Sequence, residues 1–460
     1  MDTPPKKALL VGIQLPKVPE VELLGSLAEL QRLVHTLGYE TVGTLTQKRD
    51  STTGAHVLGE GKLRELAKWT GGSGVVASAV IRKKSKAAER FDAEEISEEA
   101  NEAEEEPGDE NPPEGIKADC VIFDCDLSPS QLRNLESASG VTVLDRTGVI
   151  IEIFSRHART PAARLQVEIA RLNYMAPRIR ETGGGASDRQ GGGIGGKGSG
   201  ESSQELDRRH IRDRIKELKI ELANVQQESS VRRSRRKSEN AVALVGYTNA
   251  GKSSLMRAMT GSEVLVADKL FATLDTTVRP LHPESVPKVL LSDTVGFIKK
   301  LPHDLVASFR STLEEALNAD LLLFVVDASD PTFRTQLQVT RDVLSEIGAL
   351  ELPSRIILNK RDRLTDSDMQ VLRKEYPEAI LLSTRNTSDL RALRETLLHF
   401  FEKDMQEAKI LVPYQVQGAI GEIRRVMRVL EETYDERGVT LKVKAFEEDL
   451  ARLRERFKLS

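Results

Sequence analysis

The sequence predicts an α/β chain in four parts: an N-terminal α/β domain, an antiparallel helical hairpin, a larger domain around a mostly parallel sheet, and a small C-terminal βαβα domain. Three observations carry this prediction. Apolar, strand-like runs at 241–245, 289–292, 321–326, 356–358 and 380–383 alternate with helical stretches, the mark of a parallel sheet covered on both faces. The pattern Gly246-x4-Gly251-Lys252-Ser253 begins where the first of these runs ends. Two amphipathic stretches flank residues 183–200, which hold ten glycines. The expected boundaries are 1–158, 159–238, 239–403 and 404–460.

In the first part, residues 8–13 read as a strand, and 21–37 carry apolar residues at 23, 27, 30, 34 and 37, a helical period closed by Gly38. Residues 41–46 are strand-like, and 62–69 form a short helix after an expected tight turn at Gly59-Glu60-Gly61. The periodicity then stops from about 72 to 117, a polar, acidic stretch whose composition predicts a disordered insertion. Strand, helix and strand resume at 120–124, 129–137 and 141–145. The insertion also distorts the charge balance. Residues 88–114 hold thirteen Asp and Glu against one Arg, so a chain of formal net charge −4 is about +8 elsewhere, mildly basic and suited to a polyanionic partner. Two cysteines exclude a disulfide scaffold, and Cys120 and Cys125 lack the companions of a zinc site. No run reaches the ~18 apolar residues of a membrane span, and no signal-peptide pattern opens the chain. A cytoplasmic protein is expected.

Thr160 can cap a helix with Pro161 at its first position; Leu165, Ile169, Leu172 and Met175 then mark one face. After the glycines, Leu206, Ile211, Ile215, Leu218, Leu222 and Val225 line a second stripe, so the two helices read as a pair with a Gly-rich tip. Arg208, Arg209, Arg212, Arg214, Lys216 and Lys219 crowd the polar face and continue through residues 232–237. A nucleic-acid-facing surface and an ordinary solvated helix face both fit that pattern. At the C-terminus, residues 410–414 and 439–443 read as strands separated by a helix over 420–434 and followed by a last helix.

The chemistry concentrates between 246 and 385. Gly246-Tyr247-Thr248-Asn249-Ala250-Gly251-Lys252-Ser253 follows a strand and opens a helix, the setting a phosphate-binding loop requires. Backbone amides can wrap a β-phosphate at the positive end of the helix dipole. Lys252 supplies a point charge to the β- and γ-phosphates, Ser253 can ligate Mg²⁺, and Ser254 continues the helix start. Asp293-Thr294-Val295-Gly296 ends another strand, where the carboxylate can hold Mg²⁺ and the Gly296 amide can meet a γ-phosphate. Asn359-Lys360-Arg361-Asp362 ends a third. Asp362 can accept from guanine N1–H and its N2 amine, and adenine presents an acceptor at that position, so the expected substrate is GTP. Ser383-Thr384-Arg385 closes the base site, Thr384 through its backbone. Thr276 and Thr277 fall between the loop and Asp293, and Thr277 is expected to cover Mg²⁺ and the γ-phosphate. The expected catalytic set is Lys252, Thr277 and Gly296; the expected metal set is Ser253, Thr277 and Asp293. Asn249 could serve a K⁺ ion beside the phosphates or satisfy its own turn. Phe297 occupies the place after Gly296 and cannot align an attacking water. Slow intrinsic turnover follows, unless another side chain such as His303 substitutes.

These residues together resemble the HflX GTPases. The resemblance is carried by Phe271-Ala-Thr-Leu-Asp275, Asp293-Thr-Val-Gly-Phe-Ile298, Leu301-Pro-His303, Gly59-Glu-Gly-Lys-Leu63 and Asp126-Leu-Ser-Pro-Ser-Gln-Leu-Arg-Asn134. Arg146-Thr-Gly148, Arg164-Leu-Gln-Val-Glu168 and the glycine-rich tip at 192–196 agree. It implies a Ras-like GTPase domain behind an N-terminal domain and hairpin. It further implies a factor that binds the large ribosomal subunit, separates subunits under stress, projects the hairpin tip toward the peptidyl-transferase region and is stimulated by the ribosome. The acidic insertion departs from the family pattern, as do Lys197, Ser199 and Thr384, which stand where Arg, Pro and Ala are expected. A monomeric, ribosome-associated switch is the leading expectation. The alternative is an assembly or RNA-binding module holding GTP as a structural ligand; a metabolic nucleotidase lacks any accompanying small-substrate motif.

Overall fold

The computed structural model describes residues 5–54, 57–76, 116–178, 203–234, 239–261, 270–271, 273–274, 276–299, 315–403 and 405–457. Most of the acidic insertion, the glycine-rich tip with Lys197 and Ser199, and Leu301-Pro302-His303 lie outside them. The chain divides into two compact units, Met1–Ile153 with Tyr174–Thr182, and Phe154–Asn173 with Gly183–Ser460.

The first unit is built on β1 (Lys7–Gln14), β2 (Glu40–Lys48), β3 (Cys120–Phe123) and β4 (Thr142–Asp145), all parallel in the order β2-β1-β3-β4. The two inner strands are buried almost throughout, which explains why they are continuous apolar runs and do not alternate. Helices α1 (Glu20–Thr36), α2 (Glu60–Thr70) and α3 (Pro129–Ser139) accompany them. Ser128 and Gln131 start α3 with a reciprocal capping box and Pro129 at its first turn. The expected turn at Gly59-Glu60-Gly61 is instead the start of α2, with Gly59 as its extended cap residue. Helix α4 (Arg146–His157) has no counterpart in the sequence reading: residues 148–151 and 153–154 are so uniformly apolar that no 3.6-residue period stands out. At its first residue, the buried Arg146 guanidinium bonds Asp124 at 2.8 Å and also Glu29, while Ser26 donates to the other Asp124 oxygen at 2.5 Å.

In the second unit, α5 (Pro161–Met175) and α6 (Ser203–Ser234) pack through Leu165, Ile169 and Leu172 against Ile211, Ile215, Leu218 and Leu222. Leu206 and Met175, assigned to the same stripes, are exposed. Arg208, Arg212 and Lys219 are exposed, whereas Arg214 pairs with Glu217 and Glu168 and Lys216 with Asp213.

The central sheet holds β5 (Asn240–Val245), β6 (Thr277–Pro280), β7 (Val289–Asp293), β8 (Leu321–Asp327), β9 (Ser354–Asn359) and β10 (Ile380–Leu381) in the order β10-β9-β8-β5-β7-β6. Only β6 runs antiparallel. Helices α7 (Lys252–Thr260), α8 (Phe333–Glu346), α9 (Asp366–Glu375) and α10 (Thr387–Phe401) connect the strands. Strand order reverses direction on the two sides of β5, so its carboxyl end opens the crevice where α/β sheets bind ligands.

The C-terminal segment corrects the expected βαβα order. It is β11 (Gln406–Val412), α11 (Ala419–Val426), β12 (Arg428–Asp435), β13 (Gly438–Ala445) and α12 (Glu447–Phe457), with an antiparallel sheet ordered β11-β13-β12. Residues 428–435, read as the second half of a helix, form a strand instead: Met427 turns extended after α11, and pairing with β13 overrides local helix propensity.

Candidate functional site

Three loops meet at the carboxyl end of β5, β7 and β9. Val242 to Val245 are buried, so the chain leaves the sheet core directly into Gly246–Gly251 before α7 begins at Lys252. Gly251 has φ +98°, and a Cβ there would lie 2.2 Å from the Asn359 amide nitrogen. Only glycine permits that close approach. The Asn359 amide in turn donates to the Ala250 carbonyl at 2.9 Å, and Lys360 Nζ donates to the Asn249 carbonyl at 2.9 Å. The base-side loop is therefore tied to the phosphate-side loop by its own side chains. Lys360 also pairs with Asp327 at 2.6 Å at the end of β8, a partner that spacing along the chain could not single out. Asn249 is exposed at the loop crest with φ +60°.

Lys252 is buried, and its amine donates to the carbonyls of Gly246 at 3.0 Å and Tyr247 at 2.9 Å. Burial lowers its pKa to about 8, with Asp293 opposing the shift. Asp293 is fully buried, and desolvation pushes its carboxyl up, against the opposing charge of Lys252. Its Oδ2 accepts from Ser253 Oγ at 2.7 Å, whereas its Oδ1 is buried without a partner among the described residues. A buried carboxylate oxygen left open beside a serine hydroxyl fits a hard divalent cation.

The threonine at this centre is Thr273. Its hydroxyl lies 2.7 Å from Ser253 Oγ and also bonds Asp293. Thr277, the residue expected there, is instead the first residue of β6, in register with Asp293 on the neighbouring strand. A strand ladder fixes its backbone there. The turn that brings Thr273 in is set by Phe271, which has φ +57° and a buried ring packed edge-on to Phe154, centroids 4.7 Å apart. A bulky residue in the left-handed region persists only where packing holds it. The available signal was Phe271-Ala-Thr-Leu-Asp275 itself.

After Asp293, Thr294 is fully buried and bonds the Leu244 carbonyl at 2.7 Å, and Val295 is buried. A Cβ on Gly296 would meet the Thr248 backbone at 2.9 Å and Lys252 Nζ at 3.0 Å, so the Gly296 backbone lies directly against the phosphate loop. Phe297 is buried, its N–H donating to the Gly246 carbonyl at 3.1 Å and its carbonyl accepting from Thr248 N–H at 2.8 Å. The ring cannot orient water. The Tyr247 hydroxyl accepts from Lys299 N–H at 2.6 Å, a second clasp between the same two segments.

On the base side, Ser383 Oγ donates to Asp362 at 2.6 Å, and this bond holds the Asp362 carboxyl below its usual range. Arg385 N–H donates to Ser383 Oγ at 3.2 Å, and the Arg385 guanidinium stands 3.8 Å from Asp362. Asp389 accepts from Ser383 N–H and pairs with Arg361. Thr384 sits half-buried between Ser383 and Arg385.

Comparison with known proteins agrees with this geometry. Family models match along the chain: GTP-binding GTPase N-terminal over residues 25–84 and 92–155, GTP-binding GTPase Middle Region over 157–236, and 50S ribosome-binding GTPase over 241–360. A protein named GTPase HflX from Gluconacetobacter diazotrophicus is 58% identical over 447 residues, covering 97% of both chains. The chain belongs to the HflX family of GTPases. The Escherichia coli GTPase HflX is 34% identical, over 95% of this chain and 93% of its own. A solved structure described as SsGBP with GDP is 24% identical with a TM-score of 0.44, covering 86% of this chain and 98% of its own. This HflX-family protein binds guanine nucleotide and hydrolyses GTP through a GTPase domain of the ribosome-binding class. Among the described residues no helix is long and apolar enough to cross a membrane.

Proposed function

We propose that the chain acts in the cytoplasm as a monomeric GTP-driven switch on the large ribosomal subunit, separating or rescuing ribosomes under stress. The observation that carries this reading is the convergence of Lys252, Asp293, Gly296 and Asp362 at one sheet edge, in a chain with an exposed basic helical pair. We assign the nucleotide site to Gly246–Ser254, Asp293–Gly296, Asn359, Lys360, Asp362 and Ser383–Arg385. Mg²⁺ is assigned to Ser253, Thr273 and Asp293, with Thr277 withdrawn from the metal and catalytic sets; bound there, it would neutralise charge building on the β- and γ-phosphate oxygens. Lys252 adds a fixed positive charge, and the Gly296 amide senses the γ-phosphate. Asn249, exposed at the crest, is the residue that would face a K⁺ ion. We also retain the division into parts at 158/159, 238/239 and 403/404, with the hairpin contacting rRNA through phosphate neutralisation.

Phe297 favours a second reading, in which GTP is a structural ligand of an RNA-binding module and turnover is incidental. Sedimentation of purified ribosomes with the protein loaded with GDP or a non-hydrolysable GTP analogue separates the two. Dissociation with the analogue alone supports the switch; equal binding and no dissociation in either state supports the module.

A further inference from the structure

Away from the nucleotide, a pocket of about 500 Å³ opens between α10 and the C-terminal sheet, in the size range of small-molecule sites. Arg394 and Leu398 line it from α10, Arg424 and Met427 from α11 and its end, Arg428 and Val429 from β12. Three arginines and three glutamates line it, but they are not matched one to one. Arg424 is matched by Glu432, with contacts of 2.8 and 2.9 Å. Glu402, itself buried, is met by two cations, Arg428 and Lys444. Arg394 has no such companion: among the described residues its Nη1 is buried with no hydrogen-bond partner. Burial alone accounts for the lowering of its guanidinium below the usual range. Glu284, the remaining acid of the lining, is exposed at the rim, where water screens it.

We propose that this pocket binds a phosphate monoester, its dianion matched to the unpaired Arg394 and the surplus cation over Glu402, its organic body laid against Leu398, Met427 and Val429. A guanidinium presents a donor fork suited to a tetrahedral oxyanion, and a buried charged donor without an acceptor is costly enough that something must normally complete it. The site is separate from the phosphate loop, yet α10 begins immediately after the Ser383–Arg385 base loop, so an occupant would brace the helix that follows the guanine site.

The test uses the full chain saturated with GDP, so that the phosphate loop is filled, titrated with phenyl phosphate and followed by phosphorus NMR and calorimetry. Millimolar binding is expected for a ligand of this size. It should weaken at least ten-fold in Arg394→Gln and in Arg424→Glu, the latter a largely exposed position whose change the fold tolerates, with GDP affinity unaltered in both. Diethyl phosphate, a monoanion resembling the RNA backbone, should bind at least ten-fold more weakly. Absence of phenyl phosphate binding, undiminished binding in Arg394→Gln, or equal binding of the diester would each overturn the proposal, the last in favour of a nucleic-acid backbone contact.

Discussion

Replacing Thr273 with alanine, beside a matched Thr277→Ala, decides which threonine closes the nucleotide centre. The Thr273 hydroxyl is 2.7 Å from Ser253 Oγ and bonds the buried Asp293 carboxylate. A hydrogen bond to a charged group contributes about 1.5–3 kcal/mol, or roughly 10- to 100-fold in an equilibrium constant. Because the bond engages the metal side of the site, the loss should appear in the Mg²⁺-dependent affinity for a non-hydrolysable GTP analogue and much less in GDP affinity measured without Mg²⁺. Thr277 contributes strand pairing at the sheet edge, which alanine preserves, so Thr277→Ala should stay within about three-fold of the parent, below 1 kcal/mol. Competition against a fluorescent guanine nucleotide, with and without Mg²⁺, reads both variants in one assay. A Mg²⁺-specific loss in Thr277→Ala with none in Thr273→Ala would refute the assignment.

Asp362→Asn should lower GDP and GTP affinity by about 100-fold or more, since two bonds to a carboxylate are lost. It should improve binding of xanthine nucleotides, whose C2 carbonyl can accept from the new amide; unchanged guanine affinity in the competition assay would count against the base site. The lowered Lys252 pKa makes nucleotide binding pH-dependent. Above about 8 the free protein has shed the proton that the bound diphosphate restores, so Mg²⁺-free GDP affinity should fall as pH rises, with about three-quarters of a proton taken up at pH 8.5. Calorimetry in two buffers of different ionisation heat measures that uptake, and none at pH 8.5 would remove the argument. The same depressed value makes the ligand-free domain gain stability from pH 8 upward, because the unfolded chain then holds the extra proton. Arg146→Ala leaves Asp124 and Glu29 buried without their cation, a change worth about 3–5 kcal/mol. The N-terminal unit should melt lower by on the order of 10 °C with GDP affinity preserved, as followed by calorimetric melting.

The inner strands β5, β7 and β8 of the central sheet were legible because they are buried almost throughout and so stand out as uninterrupted apolar runs; the edge strand β6, with no buried residue, was not read. Spacing singled out Lys252, Asp293 and Asp362 as candidates, and the structure sets them at the end of β7 or in the segments that follow β5 and β9, whose relative positions the fold dictates. Thr273 was not legible for the opposite reason. Thr273 itself is in neither helix nor strand, and which of three threonines reaches the serine depends on a left-handed turn at Phe271 that packing against Phe154 stabilises. The C-terminal helix over 420–434 failed because Ile420, Ile423 and Val426 genuinely keep a helical period and no glycine or proline marks the stop; the break comes at Met427, which turns extended so that Arg428 enters the ladder with β13, a long-range event. Helix α4 was missed through excess of signal, its apolar run masking any period.

The pattern of ties around the site also bears on how GTP and GDP can be told apart. Asn359 and Lys360 bind the backbone of the phosphate loop directly, and Ser383 and Asp389 brace Asp362 and Arg361, so the base pocket and the phosphate cradle are prearranged and equally available to either nucleotide. A ligand shifts a conformational equilibrium only by contacts it makes differently in the two states. Base recognition cannot supply that difference here, because both nucleotides carry the same base into the same braced loops. On the assignment proposed above, it comes from the Thr273 hydroxyl, the open Asp293 oxygen and the Gly296 backbone, the groups assigned to the γ-phosphate end. Of these, Gly296 is clasped to the phosphate loop through Phe297 and Tyr247, while Thr273 hangs on a hydroxyl pair and a packed phenylalanine. The segment around Thr273 is therefore the cheaper one to release. Loss of the γ-phosphate should free it first, carrying Phe271 off Phe154 before anything on the guanine side responds.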